Sequence, residues 1–311
     1  MHSVARRLRT SHALPRCAGG CALRALLLSL ALLTASLLVP GQPALIRSGG
    51  PSSRLPNSTV IVVLLAGMKE PDGRDGLAVQ DSVVRQGRYA DALRLFLRSL
   101  RATGSTAPLL ALVTADTPPS WRRLAEEHGV QMRTVSVLES RGTPAHYARM
   151  ATKLHLWNLT EHASVAYYDV DTVFMRNPEP CFTACAAPLC AVRDPGIKRR
   201  YFNAGFLVLT PNAAEYERLL GLRHLADGQR LAEQDMLNAV YAATWGQLPA
   251  ACSYMPKAAR KVAWLVPAWL LRQLRASYSI HEKFWQLRDG GADGLPAVNQ
   301  AYWPWNTLLP R

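Results

Sequence analysis

The feature of this sequence with the clearest chemical potential is a pair of aspartates, Asp169 and Asp171, at the end of an apolar run. The run is SVAYY, residues 164–168, and an extended chain points residues two apart to the same side. Both carboxylates would then face one ligand. Hard cations such as Mg²⁺ and Mn²⁺ take oxygen ligands and keep positions open for phosphate groups. The pair predicts a divalent cation site, although taken alone such a pair is usually two solvated acids at a turn.

Strand and helix patterns alternate around the aspartates. A continuous apolar, β-branched run at 59–67 is typical of a strand buried on both faces of a parallel sheet. The other expected elements are a helix at 89–101, a strand at 109–114, a helix at 117–128, a strand at 131–137, a helix at 147–159, a strand at 206–210, and helices near 213 and 233. This order predicts a single α/β domain with a doubly wound, mostly parallel sheet and helices on both faces. Ligands of such sheets bind at the carboxyl ends of the strands.

The net charge of +14 is unevenly distributed along the chain. Residues 1–69 hold eight Arg and Lys and no acidic residue, so the remainder, with 28 Arg and Lys against 22 Asp and Glu, carries +6. A positive field of that size fits a pyrophosphate-containing substrate as well as a solvated basic surface. It gives no support for nucleic-acid binding, and we expect none.

An N-terminal membrane anchor is expected. The stretch 25–39 carries no charge, and five arginines in residues 1–24 precede it, which is the positive-inside pattern. Because the stretch is shorter than the ~20 residues that cross a bilayer, a cleaved signal peptide is an alternative. The expected order is a cytoplasmic basic N-terminus (1–24), a signal-anchor (25–39), a stem (40–56) and a folded domain (57–311). The domain would lie in the lumen of the Golgi or ER as part of a single-pass type II protein.

Four cysteines of the folded domain, Cys181, Cys185, Cys190 and Cys252, allow up to two disulfides. Three pairings are possible, and the sequence does not choose among them. A zinc site is the weaker alternative, because the spacing is not C-x-x-C and no histidine lies among the three clustered cysteines.

Five short blocks follow one another in a specific order. They are TKLHLW (152–157), YDVDT (168–172), FNAGF (202–206), EQDMLN (233–238) and His281. With these blocks the chain resembles glycosyltransferase family 8, the glycogenin-like group, over residues 59–285. The resemblance implies a GT-A type, Rossmann-like fold in one domain and a UDP-sugar donor. It also implies Mn²⁺ (or Mg²⁺) as the cofactor, retention of the anomeric configuration, and a glycan or protein acceptor.

The resemblance also assigns metal and phosphate ligands. Asp169, Asp171 and His281 would bind the metal, although a lone histidine is more often a packing or surface residue. Lys153 would approach the donor diphosphate, unless it is a surface lysine on a helix. Lys283 would replace a phosphate-binding lysine of the family, whereas the glycine that commonly follows the late histidine in the family is absent from this chain.

Further donor contacts follow from the same resemblance. Asn203 would hydrogen-bond the donor sugar or ribose, and Gly205 would permit close backbone approach, whereas Asn-Ala-Gly by itself is typical of a turn. Gln234 and Asp235 would position the transferred sugar for same-face attack by the acceptor; acids there also suit the helix dipole. Tyr89 would lie near the nucleotide base, or be a core aromatic.

Two other functions fit parts of the sequence. In a phosphatase of the haloacid dehalogenase type, Asp169 would attack phosphorus and Asp171 would act as acid and base. Such motifs normally open a domain, whereas α/β pattern precedes this one. A non-catalytic secretory binding protein that keeps the fold is the second alternative, and the retained Asp pair, Gln234 and His281 argue against it.

Overall fold

The strands and helices are those of an α/β protein. The computed structural model describes residues 59–67, 76–197, 200–255 and 276–282, with the backbone alone over 76–88. The strands in these ranges are β1 (Thr59–Leu65), β2 (Leu109–Val113), β3 (Gln131–Thr134), β4 (Ser164–Tyr168), β5 (Thr172–Phe174), β6 (Leu189–Arg193), β7 (Phe202–Leu209), β8 (Gly246–Gln247) and β9 (Ser279–His281). The α-helices are α1 (Gly76–Ala102), α2 (Pro119–Glu127), α3 (Ala213–Gly221) and α4 (Glu233–Val240), and a longer 3-10 helix spans Met150–Asn158.

Seven strands form one mixed sheet in the order β3-β2-β1-β4-β7-β6-β8, and β5 pairs with β9 in a separate two-stranded sheet. The pairs β1–β2, β2–β3, β1–β4 and β6–β8 are parallel, whereas β7 runs antiparallel to both β4 and β6. The predicted mostly parallel α/β sheet is therefore confirmed. The antiparallel β7 places its first residues beside the carboxyl end of β4, where Asp169 follows.

The central strand β1 is buried along its whole length. Its side chains alternate between two apolar cores, with Ile61 in the core that also holds Phe96 of α1, and Val62 in the core that holds Trp157 and Leu219. Because both faces are covered, the strand has no polar face, and this accounts for the unbroken apolar run in the sequence.

Two elements near the aspartates differ from the prediction. The helix expected at 147–159 is a 3-10 helix, Met150–Asn158, in which residues 151–157 are all buried. The strand expected at 206–210 begins at Phe202, because the Asn238 side chain accepts from the Phe202 N–H (2.8 Å) and donates to its carbonyl (2.9 Å). Asn203 and Gly205 are therefore strand residues and not part of a turn.

The expected single-pass location in a Golgi or ER membrane is contradicted. Within the described ranges, no helix is both long and apolar enough to cross a membrane. The longest described helix, α1, has the length for a span, but its 27 residues include five arginines and two aspartates. The stretch 25–39, expected to be the anchor, and the expected stem 40–56 lie outside the described residues.

Both disulfides left open by the sequence are formed. Cys181 pairs with Cys252, across a sequence separation of 71 residues, and Cys185 pairs with Cys190, across 5 residues. The zinc alternative is excluded, since all four thiols are used.

Loop length predicts unequal contributions of the two disulfides to stability. In the chain-entropy treatment, removing the long-range bond (Cys181→Ala with Cys252→Ala) should cost about 4 kcal/mol of unfolding free energy. The matched pair Cys185→Ala with Cys190→Ala closes a short loop and should cost about 2 kcal/mol. Urea unfolding of both variants measures the difference, and an equal loss in both would contradict the expectation.

Candidate metal centre

Two strand ends bring three possible metal ligands together. Strand β4 ends at Tyr168, so Asp169 and Asp171 emerge at the carboxyl edge of the sheet. Strand β9 pairs antiparallel with β5 in a register that sets His281 opposite Thr172, next to Asp171. The histidine, distant in sequence, is thus carried to the aspartates by the small second sheet.

The three side chains lie close enough to share one ion. His281 Nε2 is 3.1 Å from Asp171 Oδ1 and 3.7 Å from Asp169 Oδ2. One ligand atom from each residue can be chosen so that all lie within 4.8 Å of one another. Two carboxylates and an imidazole suit a divalent cation, and the predicted convergence is confirmed.

Gly205 makes room for this arrangement. A Cβ atom on Gly205 would lie 2.1 Å from His281 Cε1 and 2.8 Å from Asn203 Oδ1, so no larger residue fits without displacing the imidazole. The Gly205 carbonyl also accepts from the Asp169 N–H at 2.8 Å. Gly205 therefore positions two of the three ligands through its backbone and its missing side chain.

Lys153 lies beneath the aspartates rather than at the open edge of the site, and is 2% exposed. Its ammonium is 3.0 Å from Asp169 Oδ1 and 2.8 Å from Glu233 Oε1. The Tyr167 hydroxyl donates to the same Asp169 oxygen. Lys153 and Tyr167 thus fix the Asp169 carboxylate from the protein side.

The charges of this buried group depend on one another. Burial alone would lower the pKa of Lys153, but Asp169 and Glu233 more than offset that effect and raise it above its ordinary value. Burial raises the pKa of Glu233, and Lys153 opposes part of that rise. Lys153 therefore remains a cation at neutral pH, and it is the internal counterion of two carboxylates.

Gln234 and Asp235 are both engaged with the protein. Gln234 Oε1 accepts from the Ala204 N–H at 2.9 Å, which ties α4 to β7. Asp235 accepts from the Tyr201 hydroxyl through one oxygen and from the Leu231 N–H, at 2.9 Å, through the other. The acid of this block that faces the centre is Glu233, and its Oε2 is buried without a hydrogen-bond partner among the described residues.

Two hydrogen bonds fix the orientation of the Asn203 side chain. Its Nδ2 donates to Asp194 Oδ2 at 3.1 Å, and its Oδ1 accepts from the Gly205 N–H at 2.9 Å. Asp194 Oδ1 in turn accepts from the Gly196 N–H at 2.8 Å. Asn203 is thus placed at the entrance of β7, close to the metal ligands, with its orientation fixed.

The two remaining predicted contacts are not tested. The Tyr89 ring packs 5.9 Å from the Trp121 ring, centroid to centroid, between α1 and α2. Lys283 lies outside the described residues.

Several residues of the site were not singled out from the sequence. Glu233 lies in the block that by resemblance faces the transferred sugar, but the resemblance assigns it no individual role. Tyr167 is two residues before Asp169, and this spacing is the signal that could have placed both side chains on one side of the chain. Tyr147 lies near the centre, since its pKa is raised by burial and then by the charges of Glu233 and Asp169. Asp194 follows the apolar run of β6.

Arg149 belongs to a second polar cluster at the same edge of the sheet. Its guanidinium donates to the Gly67 carbonyl at 2.7 Å, to Asp116, and to Glu139 at 3.1 Å. Asp116 also accepts from the Thr114 hydroxyl at 2.6 Å. Arg149 therefore connects the chain ends that leave β1 and β2, and no spacing in the sequence indicated these partners.

The contact between Gly205 and His281 predicts a specific loss. Gly205→Ala should displace the imidazole and weaken Mn²⁺ binding about 10- to 100-fold, the usual cost of disturbing a metal ligand's support. Isothermal titration with MnCl₂ measures the affinity. The control is Gly221→Ala at the end of α3, where an added Cβ meets nothing within 4 Å. Wild-type affinity in Gly205→Ala would show that His281 is not a ligand.

The buried ion group predicts a second effect, on stability. Lys153→Met leaves Glu233 without its counterion and should lower the unfolding free energy by about 3–5 kcal/mol. Adding Glu233→Gln removes the uncompensated charge and should restore part of the loss. Urea unfolding of the wild type and each variant measures these free energies. The control Arg94→Met breaks the exposed pair with Asp91 and should cost no more than about 1 kcal/mol; a similar cost for Lys153→Met would refute the argument.

Comparisons with known proteins agree with this geometry. No protein-family profile matches the chain. Glycogenin-1 of Caenorhabditis elegans is 27% identical over 168 residues, 52% of this chain and 38% of that protein. Human glycogenin-1 is 32% identical over 149 residues, covering 45% and 41%. Galactinol synthase 1 of Solanum lycopersicum is 25% identical over 189 residues, covering 52% and 59%.

A solved structure shows the same fold. The glycosyltransferase GlyE of Streptococcus pneumoniae superposes with a TM-score of 0.50 at 16% identity, over 81% of this chain and 62% of that one. The chain spans only about two to three fifths of the length of the curated relatives cited. As the resemblance drawn from the sequence predicted, the chain is similar to glycogenin and galactinol synthase, and it has the α/β fold of a GT-A glycosyltransferase.

Proposed function

We propose that this protein is a retaining glycosyltransferase that moves a hexose or a related sugar from a UDP-sugar to a glycan, protein or other acceptor, with Mn²⁺ or Mg²⁺ as the cofactor. The observation that carries the proposal is the convergence of Asp169, Asp171 and His281 at the carboxyl edge of the sheet. The sequence relatives, which are named glycogenin and galactinol synthase, also support the proposal.

The donor set fits a resident divalent cation. Asp169, Asp171 and His281 would hold it. Bound there, a divalent cation supplies positive charge that offsets the charge of the diphosphate leaving group. The remaining steps fall to the protein's own side chains.

Lys153 contributes to this centre from below. Its burial and its contacts with Asp169 and Glu233 favour a positioning role, in which it holds the Asp169 carboxylate in place. Asn203, Gly205, Tyr89 and Lys283 complete the proposed donor-binding set.

The first turn of α4 would orient the transferred sugar. Glu233 is buried and ion-paired with Lys153, so it anchors this turn next to the site. The oxygens of Gln234 and Asp235 are engaged by backbone N–H groups and the Tyr201 hydroxyl. Because these oxygens are occupied, the arrangement favours same-face attack by the acceptor, with Gln234 and Asp235 in positioning roles.

The geometry gives less support to the phosphatase alternative. A nucleophilic Asp169 would need an oxygen free to attack phosphorus. Asp169 Oδ1 contacts Lys153 and Tyr167, and Oδ2 faces His281 at 3.7 Å.

Donor hydrolysis tests the proposal directly. The purified protein with Mn²⁺ should release UDP from at least one member of a panel of UDP-sugars, and EDTA should stop the release. Asp171→Asn removes a charged metal ligand and should lower the rate at least about 100-fold, in line with the loss of a strong electrostatic contribution.

A matched substitution controls for the change of charge. Asp91 lies on α1 in an exposed ion pair with Arg94. The Asp91→Asn variant should therefore release UDP at the wild-type rate. Hydrolysis of an aryl phosphate without release of UDP from any UDP-sugar would overturn the proposal in favour of the phosphatase. Trapping of a sugar on Gln234 or Asp235 would overturn same-face attack.

A further inference from the structure

Two neighbouring segments border the candidate metal centre. Residues 222–231 lead directly into Glu233, which contacts Lys153. Residues 139–147 lead into the 3-10 helix that carries Lys153, and Tyr147 at their end lies in the electrostatic range of Glu233 and Asp169. We call these two segments the rim.

The two rim segments are bonded to each other. The Gly228 N–H donates to the Arg141 carbonyl at 2.7 Å, and the Arg141 N–H donates to Asp227 Oδ1 at 2.7 Å. Both Gly142 (φ +64°) and Gly228 (φ +70°) adopt the left-handed conformation at this contact, where a Cβ on Gly142 would lie 3.6 Å from the Gly228 Cα. The two rim segments are therefore held against each other, beside the elements that carry Lys153 and Glu233.

This surface carries unpaired positive charge. Arg141, Arg223 and Arg230 are exposed, and their guanidinium groups make no hydrogen bond or ion pair with any described residue. The rim holds two acids against these three arginines: Glu139 pairs with Arg149, and Asp227 accepts from the backbone Arg141 N–H and keeps its negative charge, so a positive excess remains. The side chains inside the site are mainly acidic instead: the carboxylates of Asp169, Asp171 and Glu233 lie close together.

We propose that the acceptor is an acidic carbohydrate whose carboxylate or sulfate group binds the arginines of the rim while the acceptor hydroxyl enters the site. The inference rests on the proposed transferase function. The interior carboxylates are balanced by Lys153 and the proposed cation, whereas the rim arginines have no acidic partner among the described residues, so the rim is the part of the site that would attract a further negative group. The exposed His146 ring lies 4.1 Å from the Tyr147 ring, centroid to centroid, and adds aromatic surface for packing against a sugar.

The test compares acceptors of equal length and different charge. With the donor sugar that supports UDP release, the acceptors are tetragalacturonate, a sulfated heparin tetrasaccharide and uncharged maltotetraose. The acidic acceptors should show a KM at least about tenfold lower than maltotetraose, and the difference should shrink as NaCl is raised. A glutamate-rich peptide, which is acidic but not a carbohydrate, is added as a competitor of the acidic acceptors.

Two triple variants separate a local effect of the rim from net charge. Arg141→Gln with Arg223→Gln and Arg230→Gln should raise the KM for the preferred acidic acceptor about tenfold, as expected for three exposed charge contacts. The control, Arg94→Gln with Arg123→Gln and Arg133→Gln, removes the same charge from α1, α2 and β3 and should leave the KM unchanged. Thermal unfolding verifies that both variants are folded.

Direct binding keeps this inference independent of turnover. Isothermal titration of the wild type with tetragalacturonate and the sulfated tetrasaccharide should show binding that the rim variant loses and the control keeps. If no UDP-sugar is hydrolysed but this binding pattern is found, the transferase proposal fails and the acidic-carbohydrate surface stands. Equal binding of maltotetraose, equal behaviour of the two variants, or stronger binding of the glutamate-rich peptide would overturn the inference.

Discussion

The ammonium of Lys153, buried between Asp169 and Glu233, connects the parts of the chain that build the candidate site. Without it, two carboxylates would share a region of low polarity, at an energetic cost that folding does not tolerate easily. The lysine comes from the 3-10 helix, one acid from the end of β4 and the other from the start of α4. A single buried charge therefore fixes three elements relative to one another, and the metal ligands depend on that arrangement.

The third ligand depends on a separate support. Strand β9 carries His281, and its neighbours are held by the segment 251–255: the Tyr278 N–H donates to the Ala251 carbonyl at 2.7 Å and the His281 N–H to the Tyr254 carbonyl at 3.0 Å. The Ser279 hydroxyl donates to the Cys252 carbonyl at 2.7 Å. Because Cys252 is bonded to Cys181, the long-range disulfide anchors the segment against which the histidine strand lies. Stability and metal geometry are thus linked through one covalent bond.

Charge is arranged in layers around the site. The carboxylates are concentrated inside, where a divalent cation and Lys153 can neutralise them, and the rim outside carries arginines that have no partner within the part of the chain that the structure describes. A substrate with a diphosphate on one side and an acidic acceptor on the other would meet positive charge at both ends.

The sequence by itself determined the features that depend on local periodicity. The unbroken apolar run of β1, the alternation of strands and helices, and the spacing of Asp169 and Asp171 at a strand end each follow from side-chain direction within a few residues. The proximity of His281 was inferred only through resemblance, because nothing local indicates which distant segments meet. The sequence predicts a helix at 147–159 without giving its type, because the side chains of 151–157 are all buried and leave no amphipathic period; the structure has a 3-10 helix over Met150–Asn158.

Only the tertiary structure decided which groups are partners. The disulfide pairing, the engagement of Asp235 with Tyr201, and the turning of Glu233 toward Lys153 depend on distances between elements that are far apart in sequence. The sequence places two acids at the start of α4. Which of them faces the candidate metal centre depends on how α4 packs against β7. Ion pairing and hydrogen bonding act over a few ångströms, so such choices are made by the packed chain and not by residue order.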